Sequence, residues 1–259
     1  MTKLSVNINK IATLRNARGG DIPNVVKFAK DVQEFGAQGV TIHPRPDQRH
    51  IRYRDAYDLK PEIYTEYNIE GNPIAKFIEL VLEIKPTQVT LVPDAVEAIT
   101  SNAGWDCIKH QSFLSEIILE FKNNGIRTAV FLDPNPNQLE AAKATGADRI
   151  ELYTEAFARE YALGNHNAIK PYTDCAELAS DCDLGINAGH DLSLDNIIFR
   201  NGRLVIIDNE FLGYNNGWIL NIKNSFLKDR ISFYENLVSE QDIQKIWKLV
   251  LTQKKKRLL

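Results

Sequence analysis

The chain has 259 residues, of which 44% are hydrophobic and 25% are charged, and its formal net charge is −3. This length fits two small domains or one α/β barrel, and the near-neutral charge argues against a general affinity for nucleic acid or membrane surfaces. The one run of like charge, Lys254-Lys255-Lys256-Arg257, is typical of a solvated tail.

Short apolar strands alternate with amphipathic helices along most of the chain. The predicted strands cover residues 4–8, 39–42, 64–69, 88–92, 127–132, 149–152, 184–187 and 204–207. The predicted helices cover residues 25–35, 73–84, 113–121 and 138–145, a stretch that ends near residue 180, and two patterns at 218–227 and 241–251. Residues 10–20 are predicted as a basic loop, and residues 56–63 are ambiguous.

This order of elements predicts a single (β/α)8 TIM barrel that occupies residues 1–259 as one domain. The alternative is an open, doubly wound sheet, which would normally have a Gly-rich phosphate turn after its first strand. Arg18-Gly19-Gly20 is a poor match to such a turn. The chain also lacks an N-terminal signal pattern and an apolar run of the roughly 20 residues that a membrane helix needs, so a cytoplasmic protein is expected.

Polar side chains collect where the predicted strands end, and glycines mark the opposite turns. Active sites of such barrels lie at the carboxyl ends of the strands, so this asymmetry favours an enzyme. The strand-end residues are Asn7, His43, Glu70, Asp94, Asp133, Glu151, His190 and Asp208. Each also has a structural interpretation, because a histidine can cap a loop and a carboxylate can belong to an ion pair.

The stretch from Val40 to His50 carries the densest set of reactive groups. His43 and His50 are candidates for proton transfer, since imidazole titrates near neutral pH. Arg45, together with Arg18, could hold phosphate oxygens through paired N–H donors. Arg49 is instead expected on the surface.

Cofactor and metal sites are not expected from the residue pattern. The His, Cys and Asp residues lack the spacing of metal ligands, and Cys107, Cys175 and Cys182 are expected to be ordinary core or surface residues. A nucleophile elbow is also missing. The inventory suits proton shuttling on a small phosphorylated carbonyl compound without a cofactor.

Several motifs together resemble pyridoxine 5'-phosphate synthase over residues 1 to about 197. The matching segments are V-N-I-N-K-I-A-T-L-R-N-A-R-G, T-I-H-P-R-P-D-Q-R-H-I, N-I-E-G, V-T-L-V-P, R-I-E-L-Y-T and G-I-N-A-G-H-D-L-S-L-D-N. The resemblance implies a TIM barrel, an octameric assembly and the condensation of 1-deoxy-D-xylulose 5-phosphate with 3-amino-2-oxopropyl phosphate.

The same resemblance implies roles for individual residues. His43 and Glu70 would be proton acceptors, His190 the proton donor, and Glu151 an inward carboxylate of strand six. The residues implied in substrate binding are Asn7, Asn9, Lys10, Arg18, Arg45, His50, Thr100 and Asp191. Asn9-Lys10 stands where some relatives have Asp-His, and Asp191 stands where others have glycine.

The resemblance ends after Asn196. The family's strand eight ends in a Ser-Ile-Gly-His-Ala type of motif whose amides hold the second phosphate, and residues 198–259 contain no counterpart. Two alternatives therefore remain. One is a barrel that binds phosphorylated ligands without turnover. The other is a small-molecule phosphotransferase, in which Asp191 would be the base and Asn196 and Asp208 would hold Mg²⁺.

Overall fold

The computed structural model describes residues 3–93 and 103–188, together with the backbone of residues 197–200 and 203–206. Within these ranges the side chains of Arg18, Ala162 and Ala188 are not described. The predicted site residues Thr100, His190 and Asp191 lie outside the described residues, as do Asp94, Asn196 and Asp208.

Seven parallel strands form one sheet in chain order, so that each strand pairs with the next. They are β1 (Ser5–Asn7), β2 (Gly39–Ile42), β3 (Glu66–Gly71), β4 (Gln88–Leu91), β5 (Arg127–Leu132), β6 (Arg149–Leu152) and β7 (Gly185–Ala188). Parallel neighbours need crossover connections, and helices supply them here. This is the α/β TIM-barrel architecture that the sequence predicts.

Eight α-helices lie in the described part of the chain. They are α1 (Asn9–Arg18), α2 (Val25–Glu34), α3 (Tyr53–Leu59), α4 (Ala75–Ile84), α5 (Gln111–Asn123), α6 (Leu139–Ala144), α7 (Glu155–Ala162) and α8 (Lys170–Asp181). Short 3-10 turns occur at Lys60–Glu62, Pro136–Gln138 and His166–Ile169. None of the described helices is long and apolar enough to cross a membrane.

The hydrophobic core lies between the sheet and its helices. Alternate residues of a strand face opposite sides, and in β2 the side chains of Val40 and Ile42 belong to the core while Thr41 does not. From the helices, Phe77 of α4 and Phe121 of α5 pack into the same cluster. Each such side chain contributes about 1.5–3 kcal/mol when it is fully buried.

The prediction of a loop over residues 10–20 is wrong, because residues 9–18 form α1. The buried residues of this helix are Asn9, Ala12 and Arg15. A charged residue thus occupies a position that is apolar in an ordinary amphipathic helix. Leu14, by contrast, is 56% exposed. Gly19 then ends the helix in the left-handed conformation, at φ 69°.

The predicted eighth strand exists but does not extend the parallel sheet. Residues Arg203–Ile206 form β9, which pairs antiparallel with β8, Ile197–Arg200, in a separate two-stranded sheet. The two strands flank Asn201-Gly202, a dipeptide that favours tight hairpins between apolar runs. The prediction that residues 204–207 close the barrel therefore gives way to a hairpin.

Candidate active site

Polar side chains line the face of the sheet that is turned away from the helices. A continuous hydrogen-bonded series begins with Ser5 and Thr41, whose hydroxyl oxygens lie 2.8 Å apart. Asn68 Nδ2 donates to Thr41 Oγ1 at 3.4 Å. Thr90 Oγ1 lies 3.2 Å from Asn68 Oδ1. TIM barrels usually fill this space with branched apolar side chains. Its polarity here indicates a functional site.

Glu151 of β6 extends this series, because its carboxylate contacts Thr90 and Asn187. Its Oε2 lies 3.4 Å from Thr90 Oγ1 and accepts a hydrogen bond from Asn187 Nδ2 at 3.3 Å. Asn187 in turn accepts from Arg149 Nε at 2.7 Å. These contacts compensate part of the cost of burying a carboxylate, since Glu151 is only 3% exposed.

His43 and Glu70 meet at the carboxyl ends of β2 and β3. His43 Nδ1 lies 4.0 Å from Glu70 Oε2, and both side chains are buried. The separation exceeds a hydrogen bond, although catalytic pairs are often this loose before substrate binds. A buried imidazole beside a buried carboxylate is suited to accepting and holding a proton.

The start of α1 fixes the main chain at His43. Asn9 Oδ1 accepts a hydrogen bond from the His43 backbone N–H at 2.8 Å. Asn7 Oδ1 accepts from the backbone N–H of Asn9 at 2.9 Å, which satisfies the free N–H of the first residue of the helix. Two predicted substrate-binding residues thus also support the imidazole. Lys10, the next residue of α1, is exposed.

The loop after β2 is braced from within. Arg45 is buried at 5% exposure, and its carbonyl oxygen accepts from the Gln48 backbone N–H at 2.9 Å. Arg49 Nε donates to Asp47 Oδ2 at 2.6 Å. This hydrogen bond from Arg49 lowers the pKa of Asp47. Arg49 therefore lies at the surface, where the sequence analysis expected it. Arg45 is buried, and a surface position had not been expected for it.

His50 lies beside His43 in an edge-on arrangement, with the ring centroids 6.0 Å apart. The backbone N–H of Ile51 donates to His50 Nδ1 at 2.9 Å. A nitrogen that accepts this bond carries no proton, so the neutral ring bears its proton on Nε2. His50 is accordingly arranged as an N–H donor.

Two further residues named from the sequence are the strand-end residue Asp133 and the predicted phosphate-binding residue Arg18. Asp133 is exposed, and its Oδ2 accepts from the Gly104 backbone N–H at 3.1 Å, which is a loop contact. Arg18 ends α1, and its side chain is not described.

Sequence reasoning missed the polar residues inside the strands, namely Asn68, Thr90 and Asn187. The available signal was the alternation of polar with apolar residues in strands buried on both faces. It also missed the ion pair of Arg15 with Asp55, which lies outside any strand end. In the described part of the chain, groups of three or more His, Cys, Asp or Glu residues that could hold a metal ion are not found.

Comparison with known proteins supplies the family. The model of the pyridoxal phosphate biosynthesis protein PdxJ matches residues 4–205. The chain belongs to the PdxJ family. The match continues past the limit near residue 197 at which the sequence motifs end, and it takes in nearly all of the β8–β9 hairpin.

Relatives of the PdxJ family are similar over most of their own length. The pyridoxine 5'-phosphate synthase of Christiangramia forsetii is 62% identical over 214 residues, which cover 83% of this chain and 90% of that protein. The synthase of Flavobacterium johnsoniae is 69% identical over 199 residues, covering 77% and 84%. That of Cytophaga hutchinsonii is 59% identical over 214 residues, covering 83% and 90%.

Proposed function

We propose that this PdxJ-family chain is a pyridoxine 5'-phosphate synthase, an enzyme that condenses 1-deoxy-D-xylulose 5-phosphate with 3-amino-2-oxopropyl phosphate. The products are pyridoxine 5'-phosphate, phosphate and water. The observation that carries the proposal is the buried pair of His43 and Glu70 at adjacent strand ends, 4.0 Å apart. It is supported by relatives that bear this name at 59–69% identity.

The proposed reaction requires several acids and bases at one site. Formation of a Schiff base, loss of water and ring closure each move protons at fixed points, and positioned side chains accelerate such transfers about 10²–10⁴-fold. We assign proton acceptance to His43 and Glu70. We assign proton donation to His190 and a supporting role to Glu151, whose carboxylate is oriented by Asn187.

The substrate phosphates and hydroxyls need donors that keep their geometry. Arg45 is suited to phosphate because a guanidinium offers paired N–H groups. His50 offers the N–H at Nε2. The residues that we assign to substrate binding are Asn7, Asn9, Lys10, Arg18, Arg45, His50, Thr100 and Asp191. Holding both substrates together removes much of the entropic barrier to their reaction.

The proposal extends to the setting in which the enzyme acts. We propose one domain, a cytoplasmic location and a homo-octameric assembly, on the strength of the resemblance to a biosynthetic enzyme family. Light scattering coupled to size-exclusion chromatography measures the assembly directly, and a monomer at micromolar concentration contradicts it.

The function is tested with purified protein and both substrates. We expect pyridoxine 5'-phosphate to form, and His43→Ala to reduce turnover by at least about a hundredfold because a proton acceptor is lost. His166→Ala is the matched control, since His166 is exposed and belongs to the 3-10 turn His166–Ile169 and not to a strand end. Absence of product from the wild-type protein contradicts the synthase. Binding without turnover points to a non-catalytic barrel, and ATP consumption points to a phosphotransferase.

A further inference from the structure

Arg15 is a charged side chain buried in α1 at 2% exposure. It makes a two-pronged ion pair with Asp55 of α3, with Nη1 to Oδ1 at 2.6 Å and Nη2 to Oδ2 at 2.8 Å. Asp55 Oδ2 also accepts from the Arg52 backbone N–H at 2.7 Å. A buried pair of this kind is tolerated only with good geometry and further hydrogen bonds.

The same guanidinium reaches the main chain of the loop that carries His50. Arg15 Nη2 donates to the His50 carbonyl oxygen at 3.2 Å. Asn16 Nδ2 donates to that oxygen at 2.8 Å and to the Arg49 carbonyl oxygen at 3.0 Å. Asn16 Oδ1 in turn accepts from Arg15 Nε at 3.2 Å. Arg15 and Asn16 therefore both hold the peptide group between His50 and Ile51, and Asn16 also holds the one before it.

That peptide group sets the direction of the His50 side chain. Its carbonyl oxygen is fixed by Arg15 and Asn16, and the next N–H, from Ile51, donates to His50 Nδ1. The carbonyl oxygen and the N–H of this peptide are thus both hydrogen-bonded. The bond to Nδ1 holds that side of the ring against the backbone, so the Nε2–H is directed away from it. The ring then stays beside that of His43.

We propose that Arg15, Asn16 and Asp55, the Arg15 clamp, position His50 as an Nε2–H donor to the phosphorylated sugar substrate. The inference rests on the proposed function and deepens it. The three residues are positioning residues, because they act on the substrate through His50. Their effect is expected on the sugar phosphate, because His50 is assigned to that substrate.

Lysine cannot replace arginine in the clamp. A guanidinium presents several N–H donors in a fixed plane, so that it satisfies both Asp55 oxygens and the His50 carbonyl together. An ammonium group is a point charge on a flexible stem, and it retains the charge of the pair without the fork. Arg15→Lys therefore separates geometry from charge.

The kinetic test compares KM values for the two substrates. Asn16→Ala, which leaves the ion pair intact, and Arg15→Lys are each expected to raise the KM for 1-deoxy-D-xylulose 5-phosphate roughly ten- to hundredfold, as misplaced positioning groups do. The KM for 3-amino-2-oxopropyl phosphate should change less than about threefold on the same reasoning. Arg54→Lys is the matched control, because Arg54 pairs with Asp58 at the surface and its side chain is 82% exposed.

A second readout does not depend on turnover. In protein labelled with ¹⁵N-histidine, at a pH where the imidazole is neutral, wild-type His50 should show a proton on Nε2 and none on Nδ1. Asn16→Ala should give mixed tautomers, while Arg54→Lys leaves the spectrum unchanged. A single unchanged tautomer, or an unchanged KM for the sugar phosphate in folded Asn16→Ala, overturns the clamp. If the wild-type protein makes no product, the synthase fails and this spectrum still decides the clamp.

Discussion

Gly71 closes β3 directly after Glu70, and it has no room for a side chain. A Cβ at this position would lie 2.3, 2.6 and 2.9 Å from Cε2, Cδ2 and Cζ of Phe77. Phe77 is only 2% exposed in the core, so its ring cannot swing into solvent. The strand cannot easily retreat either, because the Gly71 carbonyl oxygen accepts from the Val92 N–H at 3.0 Å.

Gly71→Ala is therefore expected to destabilise the fold by overpacking, which costs about 1–3 kcal/mol in a well-packed core. The strain falls beside Glu70, so turnover should drop by about tenfold or more as the carboxylate shifts. Urea denaturation followed by circular dichroism gives the free energy of unfolding, and product formation gives the turnover. Gly20→Ala is the stability control, since a Cβ there has no heavy atom within 4 Å.

The steric argument is checked by a double-mutant cycle with Phe77→Leu. The smaller side chain removes the ring atoms that the new methyl group meets, so Gly71→Ala should cost less in that background. A coupling of about 0.5–3 kcal/mol is expected for residues in contact. Additive effects, or a Gly71→Ala variant with wild-type stability, would refute the reasoning.

Three further predictions concern groups outside the site. Iodoacetamide should alkylate Cys182 in the folded protein and reach Cys107 and Cys175 only after denaturation, because the latter two are buried; mass spectrometry detects the order, and early labelling of Cys107 contradicts it. Burial raises the pKa of Cys107 to about 12, above its value of about 8.5 in an unfolded chain. Stability from this thiol is therefore complete below about pH 8.5 and is lost as pH rises towards 12, and Cys107→Ala should show a smaller alkaline fall in Tm. Asp47→Asn should change the free energy of unfolding by less than about 1 kcal/mol, because its pair with Arg49 is partly exposed; a larger loss in urea titration shows that the pair does more than brace its loop.

The sheet could be predicted well because its strands are short apolar runs ended by polar residues. The bounds of β2, β5 and β6 match the sequence prediction. The helix α1 could not, since its buried side includes Arg15 and its burial depends on a distant partner, Asp55. Residues 204–207 were predicted as the last parallel strand, and the structure instead pairs residues 203–206 antiparallel with residues 197–200. The intervening sequence, Asn201-Gly202, is of a type that favours hairpins.

The site was partly readable for a similar reason. His43 and Glu70 stand at strand ends, where side chains of a barrel converge, so their juxtaposition follows from the fold class. The contacts that hold these two residues in place could not be predicted from the fold class. Asn9 Oδ1 bonds to the His43 backbone across 34 positions of sequence, and no local pattern indicates which amide will meet which peptide.

Helix α1 has a consequence for anyone who wishes to redesign this enzyme. Its first residue, Asn9, holds the peptide of His43, and its later turn holds the peptide of His50. One short helix thus holds the backbone of both histidines. Replacement of residues 44–52 by the loop of a relative should succeed only when residues 9–16 are replaced with it. The loop backbone is held by hydrogen bonds from that helix, so a new loop needs the helix that it fits.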